Sequence, residues 1–243
     1  MKTTKAWELF ITGFSGTGFG RKVATRFTLD TCEGVRFAQG EVFGHPFEEF
    51  FVHDSDPEAV IAAITAYGPL AHHYITVLDD SAAVQAVYER HGYQLEDTET
   101  LMVCDLAELT ALPSDPQVHL VHSSDNAEWY NTNDPQQIRW ILPDNLQDPR
   151  MAHYVVCRDD QIVVRGRNFW IDDQHSYVSR IYTAEAYRGQ GLARMLMGRL
   201  LADDLMRGAR WSVLTASHMG LPLYQRLGYR PLGSMMIFER PGQ

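Results

Sequence analysis

A glycine turn between two arginines is the segment of this chain best suited to bind a phosphate group. Residues 188–191 read RGQG; they follow a strand-like run at 177–183 and precede a helical pattern. The first amide groups of a helix have no partner within it, and the helix dipole attracts negative charge there. Glycine lets a backbone approach an anion closely and adopt positive φ angles. Because Arg188 and Arg194 add positive charge, we expect this turn to hold a phosphate or diphosphate.

The same turn has an ordinary structural explanation, since glycines also serve strand-to-helix turns that bind nothing. Its spacing differs from the GxxxxGK[ST] pattern of P-loop nucleotide-binding proteins. The full GxGxxG of dinucleotide-binding folds is missing, because Leu192, Ala193 and Arg194 follow Gly191. Taken alone, the turn leaves both interpretations open.

Tyr224 is a second residue suited to chemistry, and it lies in a segment that occurs twice. A phenol with a reference pKa of ~10 stays protonated at neutral pH and can donate a proton. The segment LYQRLGY at residues 223–229 resembles VYERHGY at residues 87–93, which has Tyr88 at the matching position. Each copy follows a helical pattern and a strand-like run and precedes a further apolar run. The sequence therefore predicts two halves that each end with helix, strand, helix and a strand-turn-strand unit.

Length and composition are compatible with two such halves in a globular chain. The protein has 243 residues, of which 45% are hydrophobic and 21% charged, so it can bury a sizeable core. The proline-containing stretch at residues 113–116 has the composition of a linker. We predict an N-terminal domain at residues 1–112 and a C-terminal domain at residues 117–243.

Charge, hydropathy and cysteine usage exclude several classes of protein. Lys and Arg number 21 against 31 Asp and Glu, a formal net charge of −10, which disfavours a broad nucleic-acid surface. No apolar run approaches the ~20 residues of a membrane span, and the N-terminus lacks the apolar core of a signal peptide. The three cysteines, Cys32, Cys104 and Cys157, are widely spaced in the sequence. We therefore expect inert buried thiols, no disulfide framework and a cytoplasmic location. The histidine pairs His72–His73 and His119–His122 have no third metal ligand at a convincing spacing in the sequence, so no metal site is predicted.

Together the two motifs resemble those of the GCN5-related N-acetyltransferases, the GNAT family. Arg188, Gly191 and Ala193 are similar to the Arg-x-x-Gly-x-Ala motif that binds the acyl-CoA pyrophosphate. The segment at 223–229 is similar to the family's later LYexxGF motif, and the two occur in the family's order. The resemblance covers roughly residues 117–243. It implies an α/β (α+β) fold with two GNAT-like halves, each a mixed, mostly antiparallel sheet flanked by helices.

The resemblance also implies where acetyl-CoA would bind as co-substrate. In such enzymes it lies in a gap between two splayed strands, with its pantetheine arm along the strand at 179–183. The residues that match the family's cofactor-binding positions are Ile181, Tyr182, Thr183, Arg188, Gly189, Gln190, Gly191, Leu192, Ala193, Arg194 and Ser217. Ser217 stands in the region where many members place an asparagine, which makes it a weaker substitute.

The activity implied is direct transfer of an acetyl group from acetyl-CoA to a primary amine in a ternary complex. Tyr224 matches the family tyrosine that protonates the departing thiolate, although a packing role is the alternative. No general base is assigned, and Glu185 lies close to the turn in sequence only. The acceptor is expected to be a small-molecule amine rather than a nucleic acid or membrane. A CoA-binding sensor or partner-binding module without turnover is the alternative function.

The first half is predicted to be a degenerate copy that shapes or supports the active half. Its loop at residues 51–58 contains no glycine and carries three carboxylates between Asp54 and Glu58, which would repel a pyrophosphate. Asp56 is expected to cap the next helix there. The glycine cluster at residues 13–20 is interpreted as a flexible hairpin or active-site flap. Residues 124–149 are expected to be helical, with aromatic residues that line the acceptor pocket or fill the core.

Overall fold

The computed structural model describes residues 1–17, 24–38, 46–110, 112, 117–136, 138–139 and 141–240, so the predicted linker lies outside the described residues. The helices in this part of the chain are α1 (Thr3–Thr17), α2 (Pro57–Tyr67), α3 (Ala82–Arg90), α4 (Ser124–Thr132), α5 (Pro143–Gln147), α6 (Leu192–Met206) and α7 (Leu221–Arg226). The strands are β1 (Ala24–Thr28), β2 (Glu33–Phe37), β3 (Phe47–Val52), β4 (His73–Val77), β5 (Gln94–Asp105), β6 (Val118–Leu120), β7 (Met151–Arg158), β8 (Gln161–Trp170), β9 (His175–Thr183), β10 (Trp211–Ser217) and β11 (Arg230–Arg240).

All these strands join one sheet, in the order β1-β2-β3-β4-β11-β5-β10-β9-β8-β7-β6. The neighbours are antiparallel except for two parallel pairs, β3 with β4 and β9 with β10. The mixed, mostly antiparallel sheet flanked by helices confirms the predicted fold class.

The last strand of each predicted half lies between strands of the other half. β11 pairs with β4 on one side and β5 on the other, and β5 also pairs with β10. The two halves therefore exchange strands. The domain boundaries at residues 112 and 117 stay a prediction, but the hydrogen-bonded sheet is continuous across them.

The repeated order of elements agrees with the pattern of the sequence as far as the second helix, after which one strand takes the place of the expected strand-turn-strand unit. The first run is α2, β4, α3 and β5, and the second is α6, β10, α7 and β11. Tyr88 lies near the end of α3 and Tyr224 in α7. The glycine four residues after each tyrosine has a positive φ, +84° at Gly92 and +93° at Gly228. The same kind of glycine turn therefore ends both helices.

The sheet is covered on both faces. Met102 packs with α6 and α7 in one cluster, while the neighbouring Leu101 and Val103 pack with α1 in another. Successive residues of a strand point to opposite faces, so α1 lies across the face opposite α6 and α7. Met236 of β11 packs with α2 and α3, and the adjacent Met235 packs with α1.

The glycine cluster is helical where the structure describes it, so the predicted hairpin or flap is wrong for residues 13–17. Gly13 and Gly16 lie in α1 against the sheet. A Cβ on Gly13 would come within 2.3 Å of the Tyr177 ring, and one on Gly16 within 2.5 Å of the Phe169 ring. Close packing therefore requires these glycines, at the cost of helix propensity. Residues 18–20 lie outside the described residues.

The remaining predictions on composition have mixed outcomes. Within the described ranges, no helix is long and apolar enough to cross a membrane. The three cysteines are free thiols, and Cys32 and Cys104 are buried as expected. Cys157 is only partly buried, which differs from the prediction.

Candidate functional site

The strands β9 and β10 separate and leave a wedge-shaped gap in the sheet. They pair only from His175 with Trp211 to Tyr177 with Val213. Beyond that point β9 stays paired with β8 as far as Thr183, and β10 stays paired with β5 as far as Ser217. The edge of β9 from 178 to 183 that faces β10 has no strand partner among the described residues, so an extended ligand can pair with this strand through backbone groups other than the Arg180 and Thr183 carbonyls, which accept from arginine side chains.

A β-bulge bends β9 where the gap opens. Arg180 has a φ of +60°, a left-handed conformation that is uncommon for a residue other than glycine. The ladder between β8 and β9 shifts register here, between Arg165 and Arg167. The Arg165 guanidinium holds the bend, because its Nη1 donates to the Arg180 carbonyl at 2.9 Å. Asp134 accepts from Arg165 Nε at 2.6 Å and compensates the buried charge. Strain maintained by such contacts is typical of functional sites.

The glycine turn has the geometry expected of an anion cradle. Gly189 and Gly191 have φ values of +74° and +79°, and a Cβ at either would meet nothing within 4 Å. Residues 188–191 are exposed. Gly191 is the N-cap of α6 and offers no side chain to its first amides. An open turn ahead of a helix N-terminus fits a diphosphate.

A cavity of about 430 Å³ lies at the gap, and both predicted halves line it. The lining residues from the N-terminal half are Phe10, Phe14, Thr17, Phe47, Glu49, Tyr74, Thr76 and Glu99. Those from the C-terminal half are Arg167, Tyr177, Val178, Ser179, Arg180, Ile181, Thr215, Ser217, Tyr224, Met235 and Ile237. The cavity therefore depends on the strand exchange, because β5 carries Glu99 to a position beside β10.

Tyr224 reaches this cavity from α7 on the far side of the sheet. Its side chain is only 7% exposed. Burial raises the pKa of the Tyr224 phenol well above its usual value, and the negative charge of Glu99 raises it further. The phenol is thus a proton donor throughout the neutral range.

Two carboxyl groups of the cavity, the buried Glu49 and the partly buried Glu99, were not identified as site residues from the sequence. Glu99 lies directly opposite Ser217 in the pairing of β5 with β10. Burial raises the pKa of Glu99, while a hydrogen bond from Thr215 lowers it in part. Burial raises the pKa of Glu49 to about 7, partly offset by a hydrogen bond from Thr76. Glu99 raises the pKa of Glu49 as well, so each carboxylate is in the field of the other.

The buried guanidinium of Arg167 also lines the cavity, and Arg167 was not identified as a site residue from the sequence. It is 1% exposed. Its Nε donates to Ser179 Oγ at 3.2 Å and its Nη1 to the Thr17 carbonyl at 3.4 Å. Burial, followed by the charge of Arg180, lowers the pKa of Arg167 to about 9. The one sequence signal for this site was the segment VVRGR in β8, where two arginines follow the apolar residues of a strand.

The corresponding place in the first half is closed. β3 pairs with β4 along its whole length from Glu48 to Val52, and the Leu78 amide extends the contact to the Val52 carbonyl. The loop that follows has no glycine, and Asp56 caps α2 by accepting from the Ala59 amide at 3.0 Å, as predicted. The described part of the first half therefore offers neither the gap nor the cradle.

The sequence-predicted site residues occupy three places. Ile181, Ser217 and Tyr224 line the cavity. Tyr182 and Thr183 continue the open edge of β9, where the Thr183 carbonyl accepts from Arg188 Nε at 3.2 Å. The remaining predicted residues form the turn and the first turn of α6: Arg188, Gly189, Gln190, Gly191, Leu192, Ala193 and Arg194. Leu192 is buried, so only its backbone can serve a ligand.

Glu185 and the described part of the 124–149 region lie away from the cavity. Glu185 is exposed in a short 3₁₀ turn and does not line the cavity. The described residues of the 124–149 region pack mainly at the β7 end of the sheet, with Tyr130 buried beside Val155. None of them lines the cavity, although Asp134 supports the bulge through Arg165. The aromatic wall comes from Phe10 and Phe14 of α1 and Phe47 of β3 instead.

Comparison with known proteins finds a family model that matches part of the second half. Residues 149–231 match the family model of the acetyltransferase (GNAT) domain. A comparison with curated proteins found no match.

Solved structures share the fold over most of the chain. A GCN5-related N-acetyltransferase from Kribbella flavida is 17% identical with a TM-score of 0.68, over 100% of this chain and 97% of that chain. One from Sphaerobacter thermophilus is 15% identical with a TM-score of 0.59, over 88% and 78% of the two chains. A tandem GNAT protein from the clavulanic acid biosynthesis pathway is 13% identical with a TM-score of 0.56, over 86% and 78%. Residues 149–231 of this chain therefore match the GNAT acetyltransferase domain, and the chain as a whole shares the fold of solved GCN5-related N-acetyltransferases.

Proposed function

We propose that this protein transfers an acetyl group from acetyl-CoA to a primary amine by direct attack in a ternary complex. One observation carries the proposal: the gap between β9 and β10 joins the exposed glycine turn to a cavity lined by Tyr224 and the carboxyl groups of Glu49 and Glu99. The turn would bind the diphosphate and the open edge of β9 would pair with the extended arm of the donor. When bound, acetyl-CoA supplies a thioester carbonyl as the site of attack.

Glu99 is suited to accept the proton of the acceptor. An amine must lose a proton before its lone pair can attack, and a buried carboxylate with a raised pKa is a better base than an exposed one. Its position opposite Ser217, with its charge affecting Tyr224, supports a location near the reacting groups. The bond from nitrogen to the acetyl carbon forms, and the bond from that carbon to sulfur breaks.

Tyr224 is suited to supply the proton that the departing sulfur takes up. Its raised pKa keeps the phenol protonated at neutral pH, and the cavity gives it access to the reacting atoms. The first proton of the ammonium group thus goes to Glu99 before attack, the nitrogen of the tetrahedral adduct releases its second proton to solvent, and sulfur receives its proton from Tyr224. Solvent exchange returns both side chains to their starting states.

Release of free CoA thiol from acetyl-CoA against a panel of amines tests the proposal. Tyr224→Phe should lower kcat on the order of 10²-fold with acetyl-CoA affinity nearly unchanged, because only proton donation is lost. Glu99→Gln should lower kcat/KM by about 10²- to 10⁴-fold. Tyr88→Phe is the matched control, since Tyr88 is the counterpart of Tyr224 and does not line the cavity.

Two results would contradict the proposal in different ways. Acetyl-CoA binding without turnover on any amine would favour the alternative of a CoA-binding sensor. Equal losses of turnover and acetyl-CoA affinity in Tyr224→Phe would point to a packing role for this side chain.

A further inference from the structure

We propose that the amine acceptor is a small molecule that also carries a carboxylate, an amino acid or close analogue, with Arg167 binding the carboxylate and Glu99 the amine. The inference rests on the proposed function and names the substrate class of the same site. Its starting point is the presence of buried side chains of both charge signs in the wall of one cavity.

Arg167 has the environment of an anion receptor. A guanidinium has five N–H donors, and the hydrogen bonds of Arg167 go to one hydroxyl and one carbonyl, both neutral groups. Among the described residues it forms no ion pair with a carboxylate. A buried charge is costly unless an opposite charge compensates it, and a planar guanidinium binds a carboxylate in a two-point geometry. A ligand carboxylate in the cavity would supply that compensation.

The bond to Thr17 fixes the guanidinium in place. Thr17 is the last residue of α1, and its carbonyl lies at the negative end of the helix dipole. Ser179, directly opposite Arg167 in the pairing of β8 with β9, holds the Nε side. Both contacts restrict the side chain before any ligand arrives, which lowers the entropic cost of binding.

Glu99 and Glu49 provide the complementary site for an ammonium group. Both line the cavity, and the charge of Glu99 raises the pKa of Glu49, so an ammonium group between them would relieve their repulsion. Thr215 and Thr76 donate hydrogen bonds to them, so part of each carboxylate is fixed while the cavity side remains for a ligand. An ammonium placed here lies on the same side as Ser217, close to Tyr224 and the expected thioester.

The overall charge of the cavity argues against a polyamine. Arg167 and Arg180 offset the two carboxyl groups, so the wall as a whole does not select a ligand of several positive charges. An acceptor with one charge of each sign matches it better. The aromatic side chains of Phe10, Phe14 and Phe47 supply an apolar wall for the body of such a molecule.

Matched pairs of acceptors, each an amino acid and the amine that lacks its carboxylate, test the inference. Phenylalanine with phenethylamine covers the α-amino acids, and γ-aminobutyrate with butylamine covers a longer separation of the charges. We expect the amino acid of at least one pair to exceed its partner in kcat/KM by about 10- to 100-fold, the effect of one charge-assisted contact.

Arg167→Gln should remove that preference, with the loss mainly in KM for the amino acid and little change for the plain amine. Arg139→Gln is the matched control, because Arg139 is exposed and pairs with Glu128 away from the cavity. Arg167→Lys keeps the charge and should recover part of the preference. Acetyl-CoA affinity and the melting temperature establish that each variant is folded.

The outcomes separate this inference from the proposed function. Plain amines that react as well as the amino acids, with no change of preference in Arg167→Gln, would overturn the inference and leave acetyl transfer intact. No turnover with either member of any pair, in a protein that binds acetyl-CoA, would contradict the proposed function itself.

Discussion

Gly191 combines a backbone requirement with an electrostatic one at a single residue. Its φ of +79° favours glycine, and asparagine tolerates this conformation better than most other residues. Its position as N-cap of α6 places any side chain in front of the amides that would bind the diphosphate. The two requirements can be separated by comparing an uncharged substitution with a charged one of the same shape.

Gly191→Asp should weaken acetyl-CoA binding by more than 10-fold relative to Gly191→Asn, because only the aspartate sets a negative charge against the diphosphate. Titration calorimetry measures both affinities. Gly208→Asp, at another exposed glycine of positive φ, controls for backbone strain. Equal affinities in the two Gly191 variants would remove the cradle assignment.

Glu49 gives the stability of the protein a specific dependence on pH. Burial raises its pKa from 4.5 to about 7 in the folded protein, so between these values the folded state holds a proton that the unfolded state has released. The stabilisation is full below pH ~4.5 and is lost as the pH rises through about 7, by roughly 3 kcal/mol in all.

The free energy of unfolding of the wild type should therefore fall between pH 5 and pH 8 relative to Glu49→Gln, which has no proton to release here. Urea denaturation at each pH measures the difference. Glu89→Gln, an exposed position in α3, serves as the control and should follow the wild type. Parallel profiles for wild type and Glu49→Gln would contradict a buried, titrating Glu49.

At the scale of elements, α1 is where sequence and structure differ most. Its glycines suggested a turn, since glycine is a poor helix former. The structure places them where the helix touches the rings of Tyr177 and Phe169. The helix propensity of residues 13–17 carries no information about the rings of Tyr177 and Phe169, which lie more than 150 residues later in the sequence. The packing that overrides this propensity could therefore not be predicted.

Gly13→Ala should destabilise the protein by about 1–3 kcal/mol, although the same change usually stabilises a helix, because the added methyl group collides with Tyr177. The KM for the acceptor should rise as well, since Phe10 and Phe14 of α1 line the cavity. Thermal unfolding and steady-state kinetics measure the two effects. Thr4→Ala, exposed in the same helix, should leave both unchanged, and a stabilised Gly13→Ala would contradict the contact.

The cradle and the repeated tyrosine segment could be predicted because each is a short run of neighbouring residues with fixed requirements. The turn at residues 188–191 and Tyr224 are examples. Glu99 and Arg167 could not be predicted, because strand pairing and the contact with α1 bring them to the cavity from distant parts of the sequence. Register and strand order decide such sites, and neither can be read from one sequence.

At the scale of the whole molecule, the exchange of β5 and β11 makes each half depend on the other. Without residues 1–112, β10 would lose its neighbour β5, and β11 would lose both strands that flank it. Unpaired edges of apolar strands promote aggregation. The predicted domains are thus parts of one cooperative structure rather than independent units.

The full chain should unfold in a single transition, and residues 117–243 expressed alone should not form a soluble folded domain. Co-expression with residues 1–112 should restore folded protein, because the pairing surfaces are then supplied in trans. Circular dichroism and size-exclusion chromatography measure both results. A stable isolated fragment 117–243 that binds acetyl-CoA would contradict this dependence.

Because β3 and β4 stay paired, the described part of the first half has no gap in which the proposed donor could bind. Its contribution to the cavity consists of side chains from α1, β3, β4 and β5, whereas the glycine turn belongs wholly to the second half. Under the proposed function, substitutions in the early part of the chain should alter the choice of acceptor while donor binding at the turn is preserved. Acceptor selectivity could then evolve separately from recognition of the donor.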